Sequence, residues 1–302
     1  MTLSYAWRLL CLSAAVFFLV NLLLGTAVAL AVPAAIRIAE RAEPRRAARW
    51  LLLLRLLPPA LAAIMVAAVC VPSYLWLEPD GGAEHVGAAC LAAAGLGLAV
   101  CLFAGARVWR AVVQSRRFVH AQASCLAMAG ILRPRLIVSP AVRDALTVEQ
   151  FEAALDHERA HWASRDNLKR LLLLLAPGLL PFCGGFDRLD RNWARFTEWA
   201  ADDRAVAGSL ARSLSLASAL VCVARLQARP VALPLATSFL GETPDFAARV
   251  SRLLNPAPLG ESPSRKGVPT SAAAVFSFAL AAVLVHPATL TAAHRLLERL
   301  ME

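Results

Sequence analysis

Long apolar stretches alternate along this chain with short arginine-rich ones. Four stretches, roughly residues 9–34, 51–77, 87–109 and 271–293, are apolar enough to cross a hydrocarbon core of about 30 Å, which takes about 20 helical residues. Between the third and the fourth the pattern shortens and becomes amphipathic. The β-branched run RLIVS at 135–139, ended by Pro140 and preceded by Gly130 and Pro134, predicts a strand or small hairpin. Thr147 and Gln150 have the spacing of a capping box, and Phe151, Ala154, Leu155 and Trp162 then recur at helical intervals, so a helix starts there. Further helices are predicted over about 187–206, 209–228 and 244–254, and a Pro- and Ser-containing linker, 255–269, leads to the last apolar stretch. Residues 171–182 (LLLLLAPGLLPF) are too few to span and are broken by Pro177 and Gly178; a re-entrant or interfacial segment is expected.

Composition agrees with a membrane location: 59% of the 302 residues are apolar and only 17% charged. The net charge of +10 comes from arginines beside the apolar runs rather than on one basic face, so nucleic acid is not an expected partner. Arg37, Arg41, Arg45, Arg46 and Arg49 lie between the first two stretches, whereas residues 78–86 carry no Lys or Arg. That asymmetry predicts a cytoplasmic first loop. Arg107, Arg110, Arg116 and Arg117, which close the third stretch, and Arg265 and Lys266 before the fourth, put the intervening region on the same side and both termini outside. The first stretch exceeds the apolar core of a signal peptide and is read as a retained helix. Arg55, one turn inside the second stretch, is expected to snorkel to the interface, and Pro58 and Pro59 to kink that helix. The seven cysteines stand singly among apolar residues without a CxxC spacing and read as buried hydrophobes.

The fold class expected is therefore mainly α: a multi-pass membrane protein with about four transmembrane helices and a cytoplasmic, mostly helical domain with a small β-hairpin. Residues 1–110 would form the first three spans, 111–270 the cytoplasmic domain, and 271–302 the fourth span with a short tail.

Within the helix that starts at Thr147, His157-Glu158-Arg159-Ala160-His161 reads HExxH. The i, i+4 spacing stacks both imidazoles on one helical face, close enough to share one tetrahedral zinc ion, and lets Glu158 reach a water on it. A third ligand is offered by Glu198 on a separate predicted helix. Asp202, at i+4 from Glu198, shares its face and can bond the free ring nitrogen of a ligand histidine, whereas Asp203 points elsewhere. The chemistry expected is hydrolysis of a peptide bond, with Glu158 as the catalytic base and one Zn2+ per chain as the cofactor. An exposed strand at 135–139 would hold an extended substrate by β-augmentation. The isolated His85, His120, His286 and His294 are not expected to be ligands.

Three blocks, RPRLIVSP (133–140), DHERAHWASRDN (156–167) and EWAADDRAV (198–206), resemble the BlaR/MecR family of membrane zinc metallopeptidases. The ExxAD block is more distantly similar to HtpX-type proteases. The resemblance implies that His157, His161 and Glu198 are zinc ligands, Glu158 the catalytic residue and Asp202 an outer carboxylate. It also implies that Asp166 and Asn167 form a structural pair and that Arg204 lies near the site. Ala201 stands where many relatives have Cys. Receptors of that family carry a penicillin-binding sensor domain after the fourth helix; the chain ends at Glu302, and direct β-lactam sensing is not expected. The partners expected are a protein or peptide substrate, such as a cytoplasmic transcriptional repressor, the lipid bilayer of a bacterial inner membrane, and a second copy in a homodimer. A signalling protease and a quality-control protease both fit these residues, and the contrasting reading is a non-catalytic zinc-bearing scaffold or receptor; retention of Glu158 argues against the last.

Overall fold

The computed structural model describes residues 3–77, 86–120, 126–130, 135–180, 186–226, 236–238, 246–255 and 295. The fourth apolar stretch, most of the 78–86 loop and nearly all of the 255–269 linker lie outside them. The described chain is mainly helical. Helix α1 (Leu3–Ala39) is followed by α2 (Pro44–Met65), a π-helical turn (Val66–Cys70) and α3 (Val71–Leu77), and then by α4 (Ala88–His120). Pro44 occupies the first turn of α2, where its missing N–H costs nothing. The helix then runs on through Pro58 and Pro59.

Three helical stretches, Tyr5–Ala39, Pro44–Leu77 and Ala88–Arg116, are long and apolar enough to cross a membrane. The first two, of 35 and 34 residues, measure about 50 Å at 1.5 Å per residue, so they overreach a core of about 30 Å by several turns. Their outer faces leave Leu23, Leu30, Leu53 and Leu102 exposed, as lipid-facing positions would be. Their inner faces pack Leu12, Ala15, Phe18, Cys70, Tyr74, Cys90 and Ala94. At Gly97 a Cβ would come within 2.6 Å of the Ala14 carbonyl oxygen, so α1 and α4 touch there through backbone, the close approach that small residues allow in membrane bundles.

The remaining elements are β1 (Leu126–Ala129), β2 (Arg135–Val138), α5 (Pro140–Ala145), α6 (Val148–Ser164), α7 (Asp166–Leu175), α8 (Asp187–Val206), α9 (Leu210–Leu226), β3 (Ala236–Ser238) and α10 (Phe246–Leu254). The strands form a sheet in the order β2-β1-β3, both pairs antiparallel, with Leu126 opposite Val138 and Ala127 opposite Ser238. Only β2 carries the β-branched pattern. β1 (LAMA) and β3 (ATS) are short and carry at most one β-branched residue, so they give no such signal and owe their state to pairing.

Two cores hold these elements. Leu126, Val142, Ala153, Ala154, Leu216, Leu220, Val223 and Leu253 join β1 to α5, α6, α9 and α10. Val28, Val32 and Ile36 of α1 and Leu51 of α2 pack with Leu173 of α7 and with Leu189, Trp193 and Phe196 of α8. The overreaching ends of the long helices thus share a core with the helix that carries Glu198.

Arg55 departs from expectation. It does not snorkel: it is 1% exposed and its guanidinium donates to the carbonyls of Ala176 at 3.0 Å and Pro177 at 3.4 Å. The apolar segment after Lys169 supplies the reason, because α7 ends beside α2 and the carbonyls of Ala176 and Pro177, just past its end, have no partners in the helix.

Candidate metal centre

The capping box of α6 forms as its sequence indicates. Thr147 Oγ1 accepts from the Gln150 amide at 3.3 Å, and Gln150 Oε1 from the Thr147 amide at 3.1 Å. The helix then turns Ala153, Ala154, His157, Glu158, Ala160 and His161 inward. It stops at Arg165, which adopts the left-handed conformation at φ 55, and α7 starts at the next residue. This sharp break brings Asp166 against the last turn of α6. On α8, burial of Leu189, Trp193 and Phe196 faces Glu198 and Asp202 toward α6.

His157, His161 and Glu198 come together as a buried group that could hold a metal ion. The two Nε2 atoms are 3.1 Å apart, and Glu198 Oε2 lies 3.5 Å from that of His157 and 3.6 Å from that of His161. Donors about 2.1 Å from a tetrahedral zinc ion sit about 3.4 Å from one another, so the triangle has the right size. Each remaining ring nitrogen meets a carboxylate: His157 Nδ1 is 2.9 Å from Asp202 Oδ1, and His161 Nδ1 is 2.8 Å from Asp166 Oδ2. With Nδ1 of each ring facing an acid, both Nε2 atoms and a carboxylate oxygen converge on one point, an arrangement that a bound metal ion would stabilise.

Glu158, Asp166, Glu198 and Asp202 are all at most 4% exposed. Among the described residues beside them, Arg249 of α10 is a buried permanent cation. It lies 3.2 Å from Glu198 Oε2, donates to Asp202 at 2.7 and 3.0 Å, and comes within 3.4 Å of His157 Nε2. Burial opposes charge on every one of these groups, and the neighbours decide which yield. At His161, burial is outweighed by Glu198 and Asp166, and protonation persists up to about 10. At His157, burial is outweighed by Asp202 and Glu198, and its pKa also rises. Burial pushes Glu158 up to about 7 despite the two imidazoles. For Glu198, burial loses to His161 and Arg249, which hold it well below the carboxylate range; for Asp202 it loses to Arg249 and His157, which bring it to about 2.

All five residues singled out by sequence, His157, Glu158, His161, Glu198 and Asp202, therefore lie at one place. Asp203 turns outward to Arg252, at 2.6 Å. Arg204 does not join the donors; it is exposed and borders a surface recess with Asp156, Arg159 and Arg212. Asp166 is more than half of a structural pair, since it orients His161. Asn167 ties α7 to the sheet by donating to the Gly130 carbonyl at 2.8 Å. Arg249 was missed altogether; nothing in the local pattern FAARVSRLL separates it from Arg252, which pairs at the surface. Arg170 was missed too, and its guanidinium reaches Glu198 Oε1 at 3.4 Å. Comparison with protein-family models, with curated proteins and with solved structures finds no match for this chain.

Proposed function

We propose that this chain is an integral-membrane zinc metalloendopeptidase. The observation that carries the reading is the convergence of His157, His161 and Glu198 with both ring nitrogens behind them held by Asp202 and Asp166, and with Glu158 buried on the same helix face. A purely structural site has no use for the last residue, and closed structural zinc sites usually take four protein ligands. Zinc in this triangle would supply Lewis acidity toward a water and a peptide carbonyl. Glu158, which burial brings to about 7, is matched to taking the proton of the attacking water and returning it to the leaving amine. Arg249 balances Glu198 and Asp202 so that both remain anionic toward the donors.

The same reading includes four membrane spans, with the metal centre on the cytoplasmic side of a bacterial inner membrane, as the arginines from Arg37 to Arg49 around the α1–α2 connection suggest. It also keeps the resemblance to the BlaR/MecR family and a protein substrate such as a transcriptional repressor, bound beside an antiparallel pair formed by β1 and β2. Quality control of membrane proteins is the alternative physiological setting.

The deciding experiment compares the wild type with Glu158→Gln, both purified in detergent, for zinc content and for casein hydrolysis or autocleavage with and without chelator. About one zinc per chain in both proteins, with hydrolysis at least 100-fold slower in the variant, is the expected result. Full zinc loading without hydrolysis in the wild type would favour the scaffold reading; absence of zinc would overturn the centre itself.

A further inference from the structure

The ligands rest on elements that are tied, at their far ends, to arginines of the membrane helices. Helix α7 touches the metal centre at its start: Asp166 bonds His161, and Arg170 reaches Glu198. About 15 Å away, at the end of this ten-residue helix, carbonyls of its last turn and of the segment that follows are gathered by three long-helix side chains. Arg107 of α4 donates to Leu174 at 2.9 Å and Ala176 at 2.8 Å. Arg55 of α2 donates to Ala176 and Pro177, and Asn21 of α1 to the Gly178 carbonyl at 2.9 Å. The second ligand-bearing helix meets the same group: Arg55 Nε lies 3.3 Å from Asp190 Oδ1 of α8, two turns before Glu198, and its guanidinium stacks 4.3 Å over the ring of Phe186.

A buried arginine in a membrane helix is expensive unless its donors are matched. Here they are divided between α7 and α8, a division that a lysine's point charge cannot reproduce. The carbonyl end of α7 also carries the negative end of the helix dipole, which favours two guanidinium groups at that place.

We propose that Arg55, assisted by Arg107, is a positioning residue for the metal centre: it locks the end of α7 and the start of α8 to the membrane helices, and so holds Asp166–His161 and Glu198 in register. The proposal rests on the metal-centre reading above and requires no peptidase activity. With Arg55 removed, α7 and α8 keep their helical hydrogen bonds and their apolar contacts but lose the buried charge that reaches both the end of α7 and Asp190 of α8.

The test uses the full chain in detergent and reads zinc affinity by chelator competition and the visible absorption of the Co2+-substituted protein, with circular dichroism and gel filtration as folding controls. Arg55→Gln is expected to stay helical and monodisperse, to bind zinc about tenfold more weakly, in the range of an outer-contact loss, and to change the cobalt spectrum. Arg55→Lys should recover part of the affinity, and Arg46→Gln, on the exposed side of α2, none of the effect. Wild-type affinity and cobalt spectrum in folded Arg55→Gln would overturn the proposal. If Arg55→Gln fails to fold, Arg107→Gln and Asp190→Asn each leave Arg55 in place. Each should weaken zinc by about threefold, and the pair should be non-additive because Arg55 connects the two elements; wild-type affinity in both would likewise overturn it. A wild type that binds zinc but hydrolyses nothing would leave this inference standing while the peptidase reading falls. A wild type that binds no metal would remove the centre before any variant is compared.

Discussion

Asp166→Asn isolates a contact that only the folded chain creates. The carboxylate lies 2.8 Å from His161 Nδ1 and 2.7 Å from Lys169 Nζ, and it is 3% exposed. Asparagine has nearly the same shape and can still accept from the ring through its oxygen. The loss is therefore one of charge: His161 becomes a weaker donor to a metal, and Lys169 loses its partner. Outer contacts of this type are worth 10–100-fold in metal affinity, or about 1.4–2.7 kcal/mol. Lys169 is part-exposed and can turn to solvent, which places the expectation near the lower end, at about 20-fold. The assay is competition for zinc with a chromophoric chelator at pH 7.5 in detergent, with Asp203→Asn as the control, because Asp203 pairs with Arg252 away from the donors. Equal affinities for Asp166→Asn and Asp203→Asn would refute the assignment of Asp166 as the acid that orients His161.

Zinc uptake should release protons, because His161 stays protonated up to about 10 without a metal; calorimetric titration near pH 7.5 in two buffers of different ionisation enthalpy should give about one proton per ion, and no buffer dependence would contradict the cause assigned to the shift. In chelator-treated protein the same residue gives a stability trend: its folded pKa lies above the ordinary 6.5, so its contribution is complete below about pH 6.5 and is lost as pH rises through 10, and the apparent Tm should fall between pH 7 and 10. Gly97→Val should push α1 from α4, since a Cβ there already meets the Ala14 carbonyl at 2.6 Å; a loss of about 1–3 kcal/mol would show as a lower Tm in detergent, and an unchanged Tm would mean the helices are not in backbone contact. Thr147→Ala removes the cap acceptor of α6 and should cost about 1 kcal/mol in thermal unfolding while leaving zinc affinity within twofold, because the cap lies more than two turns from His157.

Local geometry explains what could be read in advance. The HExxH pattern, the capping box and the Glu198–Asp202 pair each lie within one helix, and helical periodicity alone places their side chains on one face. Apolar length announced three of the helices in the same way, as it announced α8, α9 and α10 by their amphipathic pattern. Everything that joins one element to another was decided by tertiary structure. Asp166 becomes a partner of His161 because a left-handed residue, Arg165, breaks the chain between two helices; spacing along one helix could not show it. Arg249 is a buried counter-ion and Arg252 a surface one, although both belong to the same nine-residue helix, because α10 packs with only one face on α8 and α9. Arg55 reads as a misplaced charge in an apolar run; it is stable there because α7 ends beside it with unpaired carbonyls and α8 offers Asp190. Sequence thus determined which residues could bind a cation, since that depends on residue type and helical spacing. Tertiary packing determined which charges are removed from water together, and with them the partners that orient the donors.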